Sequence, residues 1–342
     1  MARRNTYEGA DSMTTAQHTQ PLLQVNDLKQ HFFLKKEKLF GPQQVVKAVD
    51  GVSFDIMPGE TLSIVGESGC GKSTTGRSIL RLDEPTAGEV LLFGKNLVNM
   101  NKKELRAARK DIQIIFQDPY ASLNPRRTIR KMLTEAMSIQ KIVPPEHQEA
   151  RMIELMSLVG LRPEYLERYP HEFSGGQRQR IGIARALAVN PKIIICDESV
   201  SALDVSIQAQ ILNLLKQLQR DLDLTFLFIS HDLSVVRHIS DRIMVMYLGK
   251  VVEIADKHSL FTQPHHPYTK ALFSSIPVID KQHRKERIIL KGDLPSPLNP
   301  PTGCSFHTRC PFATDKCKAE VPALRAITAT HKVACHFAEN LV

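Results

Sequence analysis

Short apolar runs alternate with amphipathic stretches through most of the chain. Leu22–Val25, Thr61–Val65, Glu89–Phe93, Ile112–Phe116, Lys192–Cys196, Thr225–Ile229 and Arg242–Tyr247 have the length and residue types of strands. Between several of them lie helical patterns, Lys72–Leu80, Gln177–Val189 and Ser206–Leu222, and the latter two place apolar residues three and four positions apart, which gathers them on one helical face. Strand and helix in alternation predict an α/β body on a parallel sheet. From Thr128 to Tyr169 the segment is rich in Met, Glu and Arg, has helical spacing and holds no good strand. It reads as a helical insertion. After Ala271 a charged run, Lys281–Arg287, precedes a Pro-rich stretch, Leu294–Pro301, and the two read as a linker to a small appended unit. The expected organisation is a disordered tail over 1–20, a main domain over 21–270 with its helical part near 118–175, and an extension over 271–342.

Composition sets bounds on this picture. With 342 residues, 42% apolar and 24% charged, the chain is ordinary globular material, large enough for a main domain and a smaller unit. An excess of 45 Lys+Arg over 36 Asp+Glu gives a formal charge of +9. That points to anionic partners without choosing among nucleotide, nucleic acid and an acidic membrane face. No apolar run has the length of a spanning helix, so a soluble or peripheral protein is expected. Arg3-Arg4 is followed by polar residues rather than an apolar segment, which argues against a twin-arginine signal. The expected compartment is the reducing cytosol, where clustered cysteines bind metal more often than they pair.

The sharpest chemistry lies at Gly66-Glu67-Ser68-Gly69-Cys70-Gly71-Lys72-Ser73, a G-x-x-x-x-G-K-[ST] loop directly after the strand Thr61–Val65 and before a helical segment that begins with Ser73 and Thr74. Glycines there let successive N–H groups point into one concavity, and the helix adds the positive end of its dipole. Lys72 is expected to reach the β- and γ-phosphates of a nucleotide and Ser73 to ligate Mg²⁺. A second element supports this. The apolar run Ile193–Cys196 ends in two adjacent acids, Asp197 and Glu198. Asp197 is expected on the Mg²⁺ side, and Glu198 is placed to polarise an attacking water.

Phe173-Ser174-Gly175-Gly176-Gln177, upstream of those acids, resembles the signature sequence of ATP-binding-cassette (ABC) ATPases. The family's other motifs follow in order: Gln117 after Ile112–Phe116 as the Q-loop, Ser201-Ala-Leu-Asp204 as the D-loop, and His231 after Thr225–Ile229 as the switch histidine. The resemblance implies a P-loop cassette with a parallel-sheet core, an antiparallel β subdomain and a helical signature subdomain. It implies that Glu198, His231 and Gln117 serve catalysis, with Gln117 also near the Mg²⁺. It gives Phe32 as the ring that stacks on adenine, with ordinary core packing as the alternative. It implies further that Ser174, Gly175, Gly176 and Gln177 contact the γ-phosphate held by an opposite subunit.

Asp118–Pro125, Arg168–Phe173, His265–Leu272 and Leu294–Pro301 narrow the resemblance to the ATPase subunits of bacterial dipeptide and oligopeptide importers. In such systems two ATPase subunits, often non-identical, drive two integral membrane permease subunits fed by a periplasmic binding protein, and because selectivity belongs to those other subunits, a nickel chelate, haem or an antimicrobial peptide stays open as an alternative cargo. The implied location is the cytoplasmic face of the inner membrane. Two departures stand out: Phe173 replaces the signature's leading Leu, and Ser199 stands where the family usually has Pro. A proline would restrict the residue before it, so Ser199 leaves Glu198 less rigidly aimed.

Four of six cysteines crowd the C-terminus as Cys304, Cys310, Cys317 and Cys335, while Cys70 and Cys196 are isolated and read as packing residues. The close Cys pairs of a zinc knuckle are missing, although His307, His331 and His336 could complete a Zn²⁺ site. Four thiolates, with Pro311 after Cys310, suit an iron–sulfur cluster equally, and unmetallated thiols are the third reading. Some peptide-importer ATPases carry a [4Fe-4S] cluster in this extension, so the resemblance favours that cluster, with Zn²⁺ and free thiols as the alternatives. Two rival functions fit the residues less well. A DNA-associated cassette would carry a long coiled coil between P-loop and signature, and the interval from Ser73 to Ser174 holds no sustained heptads, so no nucleic-acid partner is expected. A binder of ATP without turnover would not need Glu198 and His231.

Overall fold

A computed structural model describes residues 20–35, 43–276 and 288–339. The charged run 281–287 and positions 1–19 of the expected tail lie outside the described residues. The strands in chain order are β1 (Leu23–Phe33), β2 (Val45–Ile56), β3 (Thr61–Val65), β4 (Ala87–Leu92), β5 (Lys95–Asn96), β6 (Ile112–Ile115), β7 (Ile193–Asp197), β8 (Thr225–Ile229), β9 (Arg242–Tyr247), β10 (Lys250–Asp256), β11 (Arg325–Ala326) and β12 (Lys332–Val333). They form two sheets. One is antiparallel in the order β2-β1-β4-β5, and the other runs β11-β12-β10-β9-β3-β8-β7-β6. In the second sheet the five strands from β9 to β6 are parallel, while β10, β12 and β11 continue it antiparallel.

The parallel strands β3, β7 and β8 are buried at every position, as expected for a sheet covered on both faces. The helices are α1 (Lys72–Ile79), α2 (Lys102–Ala108), α3 (Pro119–Ser122), α4 (Ile129–Gln140), α5 (Gln148–Leu158), α6 (Gly175–Leu187), α7 (Val205–Leu222), α8 (Leu233–Ile239), α9 (Lys257–Thr262), α10 (Pro267–Ser274) and α11 (Asp315–Ala319). One apolar core joins α4, α5 and α6 through Met132, Leu133, Met152, Leu155 and Ile181 and continues under α7 to the sheet. A second core fills the space between the two sheets.

Five observed strands, β2, β5, β10, β11 and β12, escape the sequence pattern, and the two long ones show why. In β2, Asp50-Gly51 interrupts the alternation, and Gly51 adopts φ 85° where the register with β1 slips. In β10 the polar Glu253 stands at the centre of the run yet is fully buried. A two-residue turn at Leu248-Gly249, with φ of 44° and 76°, reverses the chain from β9 into β10. The extension is appended in sequence and integrated in structure: β12 pairs with β10 at Glu253↔Val333, and Phe306 packs in one core with Tyr247 and Tyr268.

Candidate functional site

Four neighbouring strands deliver the candidate residues to one edge of the sheet. β3 runs into the loop 66–71, β8 into Ser230-His231, β7 into Asp197-Glu198 and β6 towards Gln117. Because these strands are parallel and adjacent in the order β3-β8-β7-β6, their C-terminal ends lie side by side, where open α/β sheets form binding crevices.

The loop itself is held by close backbone approach. Gly66 has φ 153°, and a Cβ there would meet the Met246 carbonyl oxygen at 2.3 Å. Gly71, with φ 102°, would meet the Ala48 carbonyl oxygen at 2.1 Å. Neither position admits a side chain. The Cβ direction of Gly69, by contrast, faces open space. Lys72 is buried, and its Nζ donates to the carbonyls of Gly66 at 2.9 Å and Glu67 at 3.0 Å. The ammonium thus occupies the mouth of the loop on two neutral acceptors, which an anionic phosphate would outcompete. Ser68 and Gly69 are exposed, and Thr74 is half-buried on the first turn of α1. Cys70 is buried, and burial pushes its thiol up.

Ser73 Oγ donates to Asp197 Oδ1 at 2.6 Å. Burial raises the Asp197 carboxyl above its ordinary value; the Ser73 hydrogen bond opposes this, and the charge of Glu198 adds to it. The charges of Arg77 and Lys72 also oppose the rise without cancelling it, and a buried acid left in that state favours a cation beside it. Glu198 is the hub of the remaining contacts. Its Oε2 accepts from Gln117 Nε2 at 2.7 Å and lies 3.4 Å from His231 Nδ1. Gln117 is therefore engaged with Glu198 rather than with Ser73 or Asp197. Glu198 adopts a left-handed φ of 46°, and its N–H donates to the Ile229 carbonyl at 3.0 Å, which fixes its direction from the neighbouring strand. Ser199 is buried beside the Cys196 thiol.

The signature opens α6. Ser174 is the helix N-cap, accepting from the Gln177 N–H while Gln177 Oε1 accepts from the Ser174 N–H. Ser174 stays exposed, and among the described residues no hydrogen bond or ion pair joins residues 174–177 to the loop 66–74. The glycines were expected to give close approach to an anion. For Gly176 the close approach is internal: a Cβ would meet Ile207 Cγ2 of α7 at 2.5 Å. Asp204 is exposed at the start of α7 and makes no side-chain cap bond. Phe32, on β1 opposite Val46, is 40% exposed, so its ring is available for stacking.

Sequence reasoning missed the contacts made from the C-terminal side. The Tyr268 hydroxyl of α10 accepts the Glu67 N–H at 2.9 Å, Arg309 grips the Glu67 carboxylate at 2.8 and 3.2 Å, and the Gly249 N–H holds the Cys70 carbonyl at 2.9 Å. The His265–Leu272 motif was read only as a resemblance; it carries Tyr268 and two N–H groups that bind the buried Glu253. Cys304, Cys310, Cys317 and Cys335 line one cavity, yet among the described residues no three His, Cys, Asp or Glu side chains are set to hold a metal ion. Burial pushes the thiols of Cys304 and Cys335 up, and that of Cys310 to about 11. Cys196 is fully buried, and burial carries it to about 12, consistent with a packing role.

Comparison with known proteins agrees with this geometry. Residues 49–201 match the ABC transporter family, and residues 252–317 match the family described as the C-terminal region of oligopeptide/dipeptide transporters. The oligopeptide transport ATP-binding protein AppF of Bacillus subtilis is 54% identical over 325 residues, covering 94% of this chain and 99% of that protein. The cassette MJ0796, solved as a dimer bound to ADP and Pi, superposes with a TM-score of 0.61 at 30% identity over 69% of this chain and 98% of its own. The cbiO1 subunit of Clostridium perfringens superposes with a TM-score of 0.60 at 25% identity over 71% of this chain and 91% of its own. Among the described residues no helix is long and apolar enough to cross a membrane. The chain belongs to the ABC transporter ATPases, in the group that carries the oligopeptide/dipeptide transporter C-terminal region.

Proposed function

We propose that the chain is the ATP-hydrolysing subunit that energises import of dipeptides or oligopeptides, acting at the cytoplasmic face of the inner membrane. The observation that carries the reading is the convergence on Glu198 of Gln117 and His231, beside the Ser73–Asp197 pair and the Lys72 loop. Phe32 stacks the adenine, and the N–H groups of residues 66–74 with Lys72 receive the phosphates. Ser73 and Asp197 would hold Mg²⁺, with Gln117 as a further candidate ligand, and the ion would supply charge neutralisation at the phosphates. Glu198 polarises the attacking water and His231 positions it from the adjoining strand. Exposed Ser174 and Asp204 serve a second cassette, so that ATP is held between two subunits, which we place as a heterodimer. Two permease subunits and a periplasmic peptide-binding protein complete the assembly.

We also assign the cavity of Cys304, Cys310, Cys317 and Cys335 to a [4Fe-4S] cluster, with Zn²⁺ as the alternative. Four cysteines on one cavity offer the soft donors that either group takes, although no three of them are set together to hold a metal as they stand, and a Phe337 N–H within 3.4 Å of Cys335 Sγ supplies the kind of contact that stabilises a thiolate. Anaerobic purification with iron and sulfide analysis separates the two; stoichiometric zinc without sulfide overturns the cluster. The transport reading is tested by co-purifying the chain with its membrane partners and measuring ATP-dependent peptide uptake into vesicles. Uptake that is lost in Lys72→Ala supports it, and ATPase activity indifferent to every peptide tested, with a different cargo retained by the purified complex, contradicts it.

A further inference from the structure

Glu67 is the one acid within residues 66–74, the loop proposed to receive a triphosphate, and its carboxylate brings negative charge into that loop. The structure answers it from 242 residues away. Arg309 lies in the extension directly before Cys310, and its side chain is only 9% exposed. Its guanidinium fork holds both Glu67 oxygens, a planar arrangement that fixes direction as well as cancelling charge. Glu67 is tied at two further points: its N–H donates to the Tyr268 hydroxyl and its carbonyl accepts from Lys72 Nζ. Tyr268, Tyr247 and Phe306 pack ring against ring with centroids 4.8 to 5.5 Å apart, and all three are buried, so the platform behind Arg309 is rigid.

The geometry points to Arg309 as a positioning residue for ATP binding: it reaches from the cysteine-bearing extension to the phosphate loop, neutralises Glu67 and holds the loop in shape for the triphosphate. This rests on the reading of residues 66–74 as the ATP site. Without Arg309 the Glu67 carboxylate would face the incoming phosphates unpaired, and like charges at such separations repel measurably even near the surface.

The test uses the full chain, with ATP affinity from equilibrium binding and KM and kcat from steady-state hydrolysis. Arg309→Met is expected to weaken ATP binding about tenfold and raise KM equally, with kcat within about twofold, and Arg309→Lys to fall between. Adding Glu67→Gln to Arg309→Met is expected to recover at least about threefold of the lost affinity, because the repelling charge is gone. A purely structural role for Arg309 would give no such rescue, since the extension is equally altered in both variants. ATP affinity unchanged in Arg309→Met, or no recovery in the double variant, overturns the proposal. A parent chain that does not bind ATP, or binds it equally well as Lys72→Ala, contradicts instead the reading of the site on which the proposal rests.

Discussion

Two buried carboxylates in the same sheet behave in opposite ways. Asp197, at the end of β7, is 6% exposed, is bonded by the Ser73 hydroxyl, and its carboxyl lies above its ordinary value because burial dominates. Glu253, in β10, is 0% exposed, yet its carboxyl lies below its ordinary value. Burial pushes Glu253 up as well, but it is outweighed by His331 Nε2 at 2.7 Å and the N–H groups of His265 at 2.7 Å and His266 at 3.1 Å. The difference separates two uses of buried charge. An acid saturated with donors is an anchor, here fastening the extension to the main sheet. An acid whose donors do not offset its burial is suited to something that arrives later, which in the proposed function is a cation with a nucleotide.

Replacing the two acids is the strongest way to break this contrast. Asp197→Asn is expected to lower Mg²⁺-dependent ATP turnover by at least about a hundredfold while leaving the denaturation midpoint equal or higher, because an uncompensated buried charge is removed. Equal loss of stability and activity would end the distinction. Glu253→Ala is expected to cost about 3–5 kcal/mol in urea unfolding, since the imidazole and two N–H groups lose their acceptor.

The pH dependence follows from the signs. The folded value of Glu253 lies below its unfolded value, so its contribution is present above about pH 4.5 and is lost as pH falls through the folded value. The folded value of Asp197 lies above its unfolded one, so its contribution is present in acid and is lost as pH rises through the folded value. Acid unfolding of the parent chain is therefore expected to be steeper than that of Glu253→Gln, measured by circular dichroism between about pH 5 and 3. The smallest effect is expected at Ser199→Pro. Glu198 is already aimed by its N–H bond to Ile229, so ATPase rates should differ by less than about twofold. A large change would show that position 199 sets the aim of Glu198.

Much of the parallel sheet is legible in the chain, and the reason is burial. Thr61–Val65, Thr225–Ile229 and Arg242–Tyr247 are covered on both faces and so read as continuous apolar runs, matching the observed strands at both ends. β2 and β10 are hidden because a bulge at Gly51 and a buried Glu253 break the pattern that periodicity relies on. The residues of the phosphate site are legible because backbone geometry restricts them locally: Gly66 and Gly71 sit where no Cβ fits. What supports the site is not local. Arg309 and Tyr268 meet Glu67 across 242 and 201 residues, and nothing in the spacing of the chain announces either contact. Gly176 shows a subtler limit, since its motif was visible while its packing against Ile207 was not.

The central claim is that Glu198 drives hydrolysis of ATP held between two cassettes, and Glu198→Gln tests it most directly. The variant, purified as the full chain and given Mg²⁺ and ATP, is expected to bind nucleotide as the parent does, to lose turnover by at least about a hundredfold, and to accumulate as an ATP-bound dimer by light scattering. Hydrolysis at the parent rate, with no dimer accumulating, would contradict it.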